Sequence, residues 1–227
     1  MTDRTLTGLI DYLSEFMLPE RIEKFREILN NRTDHVTVVL EDLHKPHNAN
    51  AVLRSCDGFG LQDVHIIENK VEFDAERSVS IGAHQWLSLH RYNQKGVDNV
   101  DVCFKNLREK GYKIIATTPH EKDVNIYDLD VTEKIALVFG TERFGISQNV
   151  IDKADGFAKI PMTGFSESFN ISVSAAICLY ELTKKLRTSD VAWGIDEAYK
   201  KQLTFNWMKR SVKAGEQLVQ KYLDNYD

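Results

Sequence analysis

The chain has 227 residues, 42% of them hydrophobic, and a net charge of −5. A domain of this length buries roughly 70% of its unfolded surface, so one main domain with helical extensions is expected, not two equal ones. The longest apolar runs, such as Ile135–Phe139, fall far short of the ~20 residues that span a bilayer, which excludes a membrane-spanning helix.

The three cysteines (Cys56, Cys103, Cys178) are widely spaced and form no C-x-x-C. Neither a disulfide framework nor a zinc site is suggested, and each cysteine sits in an apolar pattern as a small hydrophobe. Met1-Thr-Asp-Arg-Thr-Leu6 has no signal-peptide h-region. A reducing cytoplasm is the expected compartment.

Residues 5–30 carry helical periodicity in two pieces with Pro19 between them. Leu9, Tyr12, Leu13 and Phe16 form one stripe; Ile22, Phe25, Ile28 and Leu29 form the other. Arg21, Arg26 and Arg32 lie on or beside the second piece, where they either contact phosphates or are simply solvated. Val36–Leu40 is β-branched and predicts a strand. A loop, 41–48, leads to a helix with Asn48 as its N-cap. Val52, Leu53 and Cys56 face inward, and Gly58 and Gly60 mark its end. Asp63–Ile67 is the second strand, so residues 36–67 read as β–α–β with parallel pairing. Trp86–His90 is a third strand, Val97–Lys110 a helix ended by Gly111, and Lys113–Thr118 a fourth strand before Pro119.

The stretch from Lys134 to Leu182 organises the rest. Ile135–Phe139 is a strand buried on both faces. Gly140-Thr-Glu-Arg-Phe-Gly-Ile146 is a turn with two glycines around one acid. Phe157–Pro161 is a short apolar piece, and 162–170 a polar loop. A helix follows to about Arg187, with Ile171, Ala175, Cys178, Leu179 and Leu182 at helical spacing. Residues 188–194 are a connection, and one helix is predicted from Tyr199 to Tyr222. Alternating strands and helices define an α/β class. Two strand ends and two loops meet near one helix N-terminus, which is where open α/β sheets bind ligands.

Neither G-x-G-x-x-G nor G-x-x-x-x-G-K-[ST] is present, so a dinucleotide dehydrogenase and a P-loop NTPase are poorly supported. No histidines pair as H-E-x-x-H, and no metal is expected. Asn48 and Arg54 lie six residues apart on one helix, about 1.7 turns. Glu142 sits in the glycine turn, and Ser168, Asn170 and Ser172 at a helix start. Each has an ordinary alternative: a cap for Asn48 and Asn170, plain surface for Arg54, a turn for Glu142. Residues 184–222 hold nine Lys/Arg against four Asp/Glu in an otherwise acidic chain. That segment is either an RNA-facing surface or a solvated helix face.

His44-Lys-Pro-His-Asn48 with Ala51-Val-Leu-Arg-Ser55 resembles motif 1 of the SpoU/TrmH family of RNA ribose 2′-O-methyltransferases. Leu137–Ile146 resembles motif 2. Ile160-Pro-Met-Thr-Gly164 and Ser168–Ala176 resemble motif 3. The three stand in the family's order across residues 36–187. The His-Lys-Pro-His-Asn run and the terminal helices are closest to the branch that methylates the D-loop guanosine at position 18 of tRNA. Methylation of rRNA or of another tRNA position, or a non-catalytic RNA-binding protein on the same fold, remains open.

The resemblance implies a SPOUT-type parallel sheet with a deep C-terminal trefoil knot and helical extensions at both ends. It implies a methyltransferase domain at 34–187 flanked by extensions at 1–33 and 188–227. It also implies a homodimer and S-adenosylmethionine (AdoMet) held in the knot. AdoMet is then expected against Thr117, Thr118, Phe139, Gly140, Glu142, Ile160, Met162, Gly164 and Ser168. Gly140, Gly145 and Gly164 would permit close approach of threaded loops. Arg54 takes the central catalytic role, with Asn48, Glu142, Ser168 and Asn170 orienting the ribose and the loops. Arg21, Arg26, Arg32, Lys209, Arg210 and Lys213 are the expected tRNA contacts, the last three sharing one helix face.

Overall fold

The computed structural model describes all residues except 44, 71–81, 120–122, 142, 143 and 227. They divide into two compact units, Met1–Arg32 with Gly194–Asp227, and Thr33–Trp193. In chain order the elements are α1 (Asp3–Ser14), α2 (Pro19–Leu29), β1 (Val36–Glu41), α3 (Pro46–Gly58), β2 (Asp63–Ile67) and β3 (Ser88–Tyr92). Then come α4 (Asn99–Glu109), β4 (Tyr112–Thr117), β5 (Val124–Asn125), β6 (Lys134–Phe139), α5 (Gln148–Lys153) and β7 (Gly156–Lys159). The chain continues through α6 (Ile171–Arg187), α7 (Glu197–Ser211) and α8 (Gly215–Tyr226). No helix among the described residues is long and apolar enough to cross a membrane.

The unit of residues 33–193 is built on one parallel sheet in the order β3-β2-β1-β6-β4-β7-β5. Its central strands alternate across two cores, as the period of two requires. Val36, Val38 and Leu40 of β1 and Ile135, Leu137 and Phe139 of β6 join the core that contains Val52, Leu53 and Cys56 of α3 and Ala175, Leu179 and Leu182 of α6. Val39, Ala136 and Val138 face the other way, onto Val100, Cys103, Phe104 and Leu107 of α4. Both faces are covered, which is why these strands read as unbroken apolar runs. β6 inserts between β1 and β4, pairing Leu40 with Phe139 on one side and Ala116 with Val138 on the other.

Three expectations are corrected. The third strand runs over Ser88–Tyr92, because Ala83–Trp86 is a 3₁₀ turn following Gly82, which has φ +63°. The helix after the first loop begins at Pro46, with Lys45 at the cap position. Proline at the first helical position needs no N–H donor partner, so Asn48 lies inside the first turn, buried at 3% exposure.

The final helix is two helices. Val212 is extended (φ −82°, ψ 133°), Ala214 has φ +59°, and α8 starts at Gly215. A Cβ on Gly215 would lie 2.0 Å from the Lys209 carbonyl oxygen, so the turn is closed around a glycine.

Candidate active site

The strand order changes direction around β1 and β6, and ligand crevices in open α/β sheets form at the carboxyl ends of strands where that happens. A cavity of about 410 Å³ opens there, at the ends of β4, β6 and β7, within the ~300–1,000 Å³ range of small-molecule sites. Thr117, Thr118, Phe139, Gly140, Ile160, Met162 and Ser168 all line it. Sequence reasoning missed its floor, formed by Ile171, Ser174 and Cys178 of α6, and the wall residue Ile151. The helical spacing of α6 contained that signal, since Ile171 and Cys178 share its inward stripe. Burial pushes the Cys178 thiol up to about 12, so this cysteine is a neutral wall and not a nucleophile.

The two threonines are already engaged as donors. Thr117 Oγ1 donates to Val138 O at 2.9 Å, and Thr118 Oγ1 donates to Asp123. As an acceptor, the Thr117 hydroxyl suits the amino and hydroxyl hydrogens of a nucleoside.

Gly140 follows β6 directly. A Cβ there would sit 2.2 Å from the Gly145 carbonyl oxygen and 2.3 Å from Ile146 N, so the loop closes against its own backbone. Thr141 and Gly145 exchange two backbone bonds, at 2.8 and 3.0 Å. Gly145 is required for its φ of +69°, with open space around it. Gly164 does not fit the expectation of close approach: no atom lies within 4 Å of a Cβ built there, and it is not among the cavity-lining residues. Glu142 lies outside the described residues.

Beyond the cavity, Asn170 caps α6, its Oδ1 accepting from Ser172 N at 2.9 Å and from Ser172 Oγ at 2.6 Å. Its Nδ2 donates to Asn48 Oδ1 at 3.4 Å. One weak bond thus joins the first turn of α3 to the first turn of α6. Arg54 lies on α3 with its side chain exposed and outside the cavity lining.

Among the residues expected to meet RNA, Arg21 and Arg26 are exposed on α2. Arg32 is not: it is 1% exposed, with its guanidinium 5.5 Å from the Trp207 ring centre. A buried, stacked guanidinium cannot reach a phosphate, so Arg32 leaves the set. Lys209, Arg210 and Lys213 do not share a helix face, because Lys213 lies beyond the end of α7. Lys209 is paired with Glu216 at 2.9 Å, its side chain only 26% exposed.

The model of the SpoU rRNA Methylase family matches residues 35–180. A Borreliella burgdorferi protein named tRNA (guanosine(18)-2′-O)-methyltransferase is 38% identical over 204 residues, covering 90% of this chain and 91% of the relative. A Thermus thermophilus protein of the same name is 34% identical over 165 residues, covering 73% and 82%. The crystal structure of the A. aeolicus TrmH/SpoU tRNA modifying enzyme superposes with a TM-score of 0.72 at 26% identity, covering 86% of this chain and 98% of that one.

Proposed function

Because the chain belongs to the SpoU rRNA Methylase family, we propose that it transfers a methyl group from AdoMet to the ribose 2′-oxygen of guanosine 18 in tRNA. The observation that carries this reading is that motif 2 and motif 3 line one cavity, while the first turn of motif 1 bonds to the cap of the motif 3 helix. The cavity fits a nucleoside-sized cofactor: apolar walls at Phe139 and Ile160, an acceptor oxygen at Thr117, and a backbone at Gly140 that leaves no room for a side chain. When bound, AdoMet supplies an electrophilic methyl on a sulfonium.

The remaining work falls to the chain. A ribose hydroxyl is a weak nucleophile and must lose its proton. Arg54, whose planar guanidinium offers a fork of N–H donors, holds the 3′ phosphate and the alkoxide developing at the 2′-oxygen. The phosphate or a water accepts the proton. Asn48 and Glu142 orient the arginine and the ribose, and Ser168 and Asn170 hold the motif 3 loop. Alignment of this kind is worth roughly 7–11 kcal/mol.

Residues 1–33 and 188–227 serve as RNA-binding extensions to a methyltransferase domain at 34–187, with Arg21, Arg26, Arg210 and Lys213 as phosphate contacts. Loops 140–146 and 160–170 form the threaded part of a trefoil knot. The protein acts in the cytoplasm as a homodimer; Phe169, Val173 and Tyr180, exposed at 41%, 44% and 54%, are apolar surface suited to a second copy.

The test is nucleoside analysis of tRNA from cells with and without the gene. Loss of 2′-O-methylguanosine from position 18, restored by the native chain and not by Arg54→Ala, is expected. Unchanged position 18, or a loss found only in rRNA, overturns the assignment.

A further inference from the structure

Glu41 ends β1, on the segment that leads to α3, and it is only 2% exposed. Its carboxylate accepts from Ser147 twice: the backbone N–H reaches Oε2 at 2.9 Å and the hydroxyl reaches Oε1 at 2.5 Å. Ser147 follows directly on the Gly140–Ile146 loop. It also caps α5, its Oγ accepting from Val150 N at 3.3 Å. The serine hydroxyl is therefore a relay, donating to Glu41 while accepting from the helix.

The next residue fixes the other side. Asp42 has φ +47°, and its Oδ1 accepts the backbone N–H groups of Asn69 and Lys70 at 2.8 Å each. The chain leaving β1 is thus held to the end of β2 by Asp42 and to the exit of the motif 2 loop by Glu41. A carboxylate taken out of water is costly unless donors meet its oxygens, and the bonds that do so are short and strong. A buried charge spanning 106 residues to reach one loop exit is a poor choice for packing alone.

We propose that Glu41 is a positioning residue for methyl transfer. It acts through Ser147 and sets the loop that walls the cofactor cavity against the segment that carries Asn48 and Arg54. Glu41 itself does not line the cavity. This rests on the reading of that cavity as the AdoMet site.

The test uses the full chain with Glu41→Gln, which keeps the volume and removes the charge, alongside Ser147→Ala and the double variant. AdoMet affinity by calorimetry, melting temperature and single-turnover methylation of tRNA are measured for each. Each single change is expected to raise the AdoMet dissociation constant about tenfold, the scale of one charge-assisted bond. Melting should stay near the native value in Glu41→Gln, whereas Ser147→Ala also gives up the α5 cap and should melt lower; in both, transfer at saturating AdoMet should fall less than the affinity does. The losses of affinity should be less than additive in the double variant, because the hydroxyl bond removed in Ser147→Ala is part of the link that Glu41→Gln weakens. Unchanged affinity in both single variants overturns the proposal, as do additive losses or a lower melting temperature with affinity intact. If the unaltered chain binds no AdoMet at all, the cofactor reading itself fails and the proposal falls with it.

Discussion

Asn48 and Asn170, 122 positions apart, meet through one bond of 3.4 Å, and the two residues do different work. Asn170 is both the cap of α6 and the partner of Asn48. Its two roles separate by substitution. Asn170→Ser retains a capping oxygen and loses the reach to Asn48, whereas Asn170→Ala loses both. The alanine variant should be less stable by about 1 kcal/mol, the usual worth of a cap. The serine variant should melt near the native temperature, yet methylate tRNA at least about tenfold more slowly. Normal turnover in the serine variant would show that the link has no catalytic role. Asn170 as a cap was legible from the polar loop running into an apolar helix. Asn48 as a cap was misread, because Pro46 already occupies the first helical position and moves the cap three residues earlier, to Lys45. Nothing local shows that Asn48 is buried, since that depends on what packs over α3.

At the scale of elements, the glycines of the cavity loops are not equivalent. Gly140→Ala would bring a methyl into the Gly145 carbonyl, and backbone cannot swing aside as a flexible side chain does. The loop would have to open, and AdoMet affinity is expected to fall by more than about tenfold, as for loss of well-aligned hydrogen bonds in a fixed site. Gly164→Ala meets open space and should change affinity less than about twofold, within the small effects usual at open surface positions. Calorimetry on the pair checks both, and equal losses would mean that the cavity is not where AdoMet binds. Periodicity was a good guide to β1, β2, β4 and α6, whose apolar patterns are long or unbroken. It failed for α7 and α8. Their apolar positions continue across the junction, while the break itself lies in the backbone of Val212–Gly215 and in the 2.0 Å approach at Gly215. With the helix divided, Lys209 and Lys213 no longer belong to one face, and Lys209 is engaged with Glu216.

For the whole molecule, acid stability should depend on His65 in β2. It is 1% exposed, shares a 3.0 Å bond with the Tyr92 hydroxyl and stacks on His90 at 4.6 Å; His90 in turn meets Asp63 at 2.5 Å. Burial, and then the neighbouring His90, push His65 down to about 3, with Lys110 adding to the effect and Asp63 opposing it. The folded value is below the unfolded one, so the unfolded chain takes up this proton first as pH drops. Stability from this group is therefore complete above about pH 6.5 and is lost as pH falls toward 3, at ~1.4 kcal/mol per unit. Between pH 7 and pH 5 the loss should reach about 2 kcal/mol, read as a lower urea midpoint that His65→Gln makes less pH-dependent. An unchanged midpoint in the native chain would show that His65 is not held neutral. From sequence alone came the α/β class, the parallel β–α–β start, the doubly buried strand at Ile135–Phe139, and the loops that line the cavity. Each is written in local period, turn residues or an ordered motif, and each reports which face of a segment is buried. What buries it is a matter of packing. The insertion of β6 between β1 and β4, the bond from Asn48 to Asn170, the tie from Glu41 to Ser147 and the burial of Arg32 over Trp207 all join residues far apart in the chain. Only the tertiary structure decided those, because no local pattern encodes the partner that completes a buried polar group.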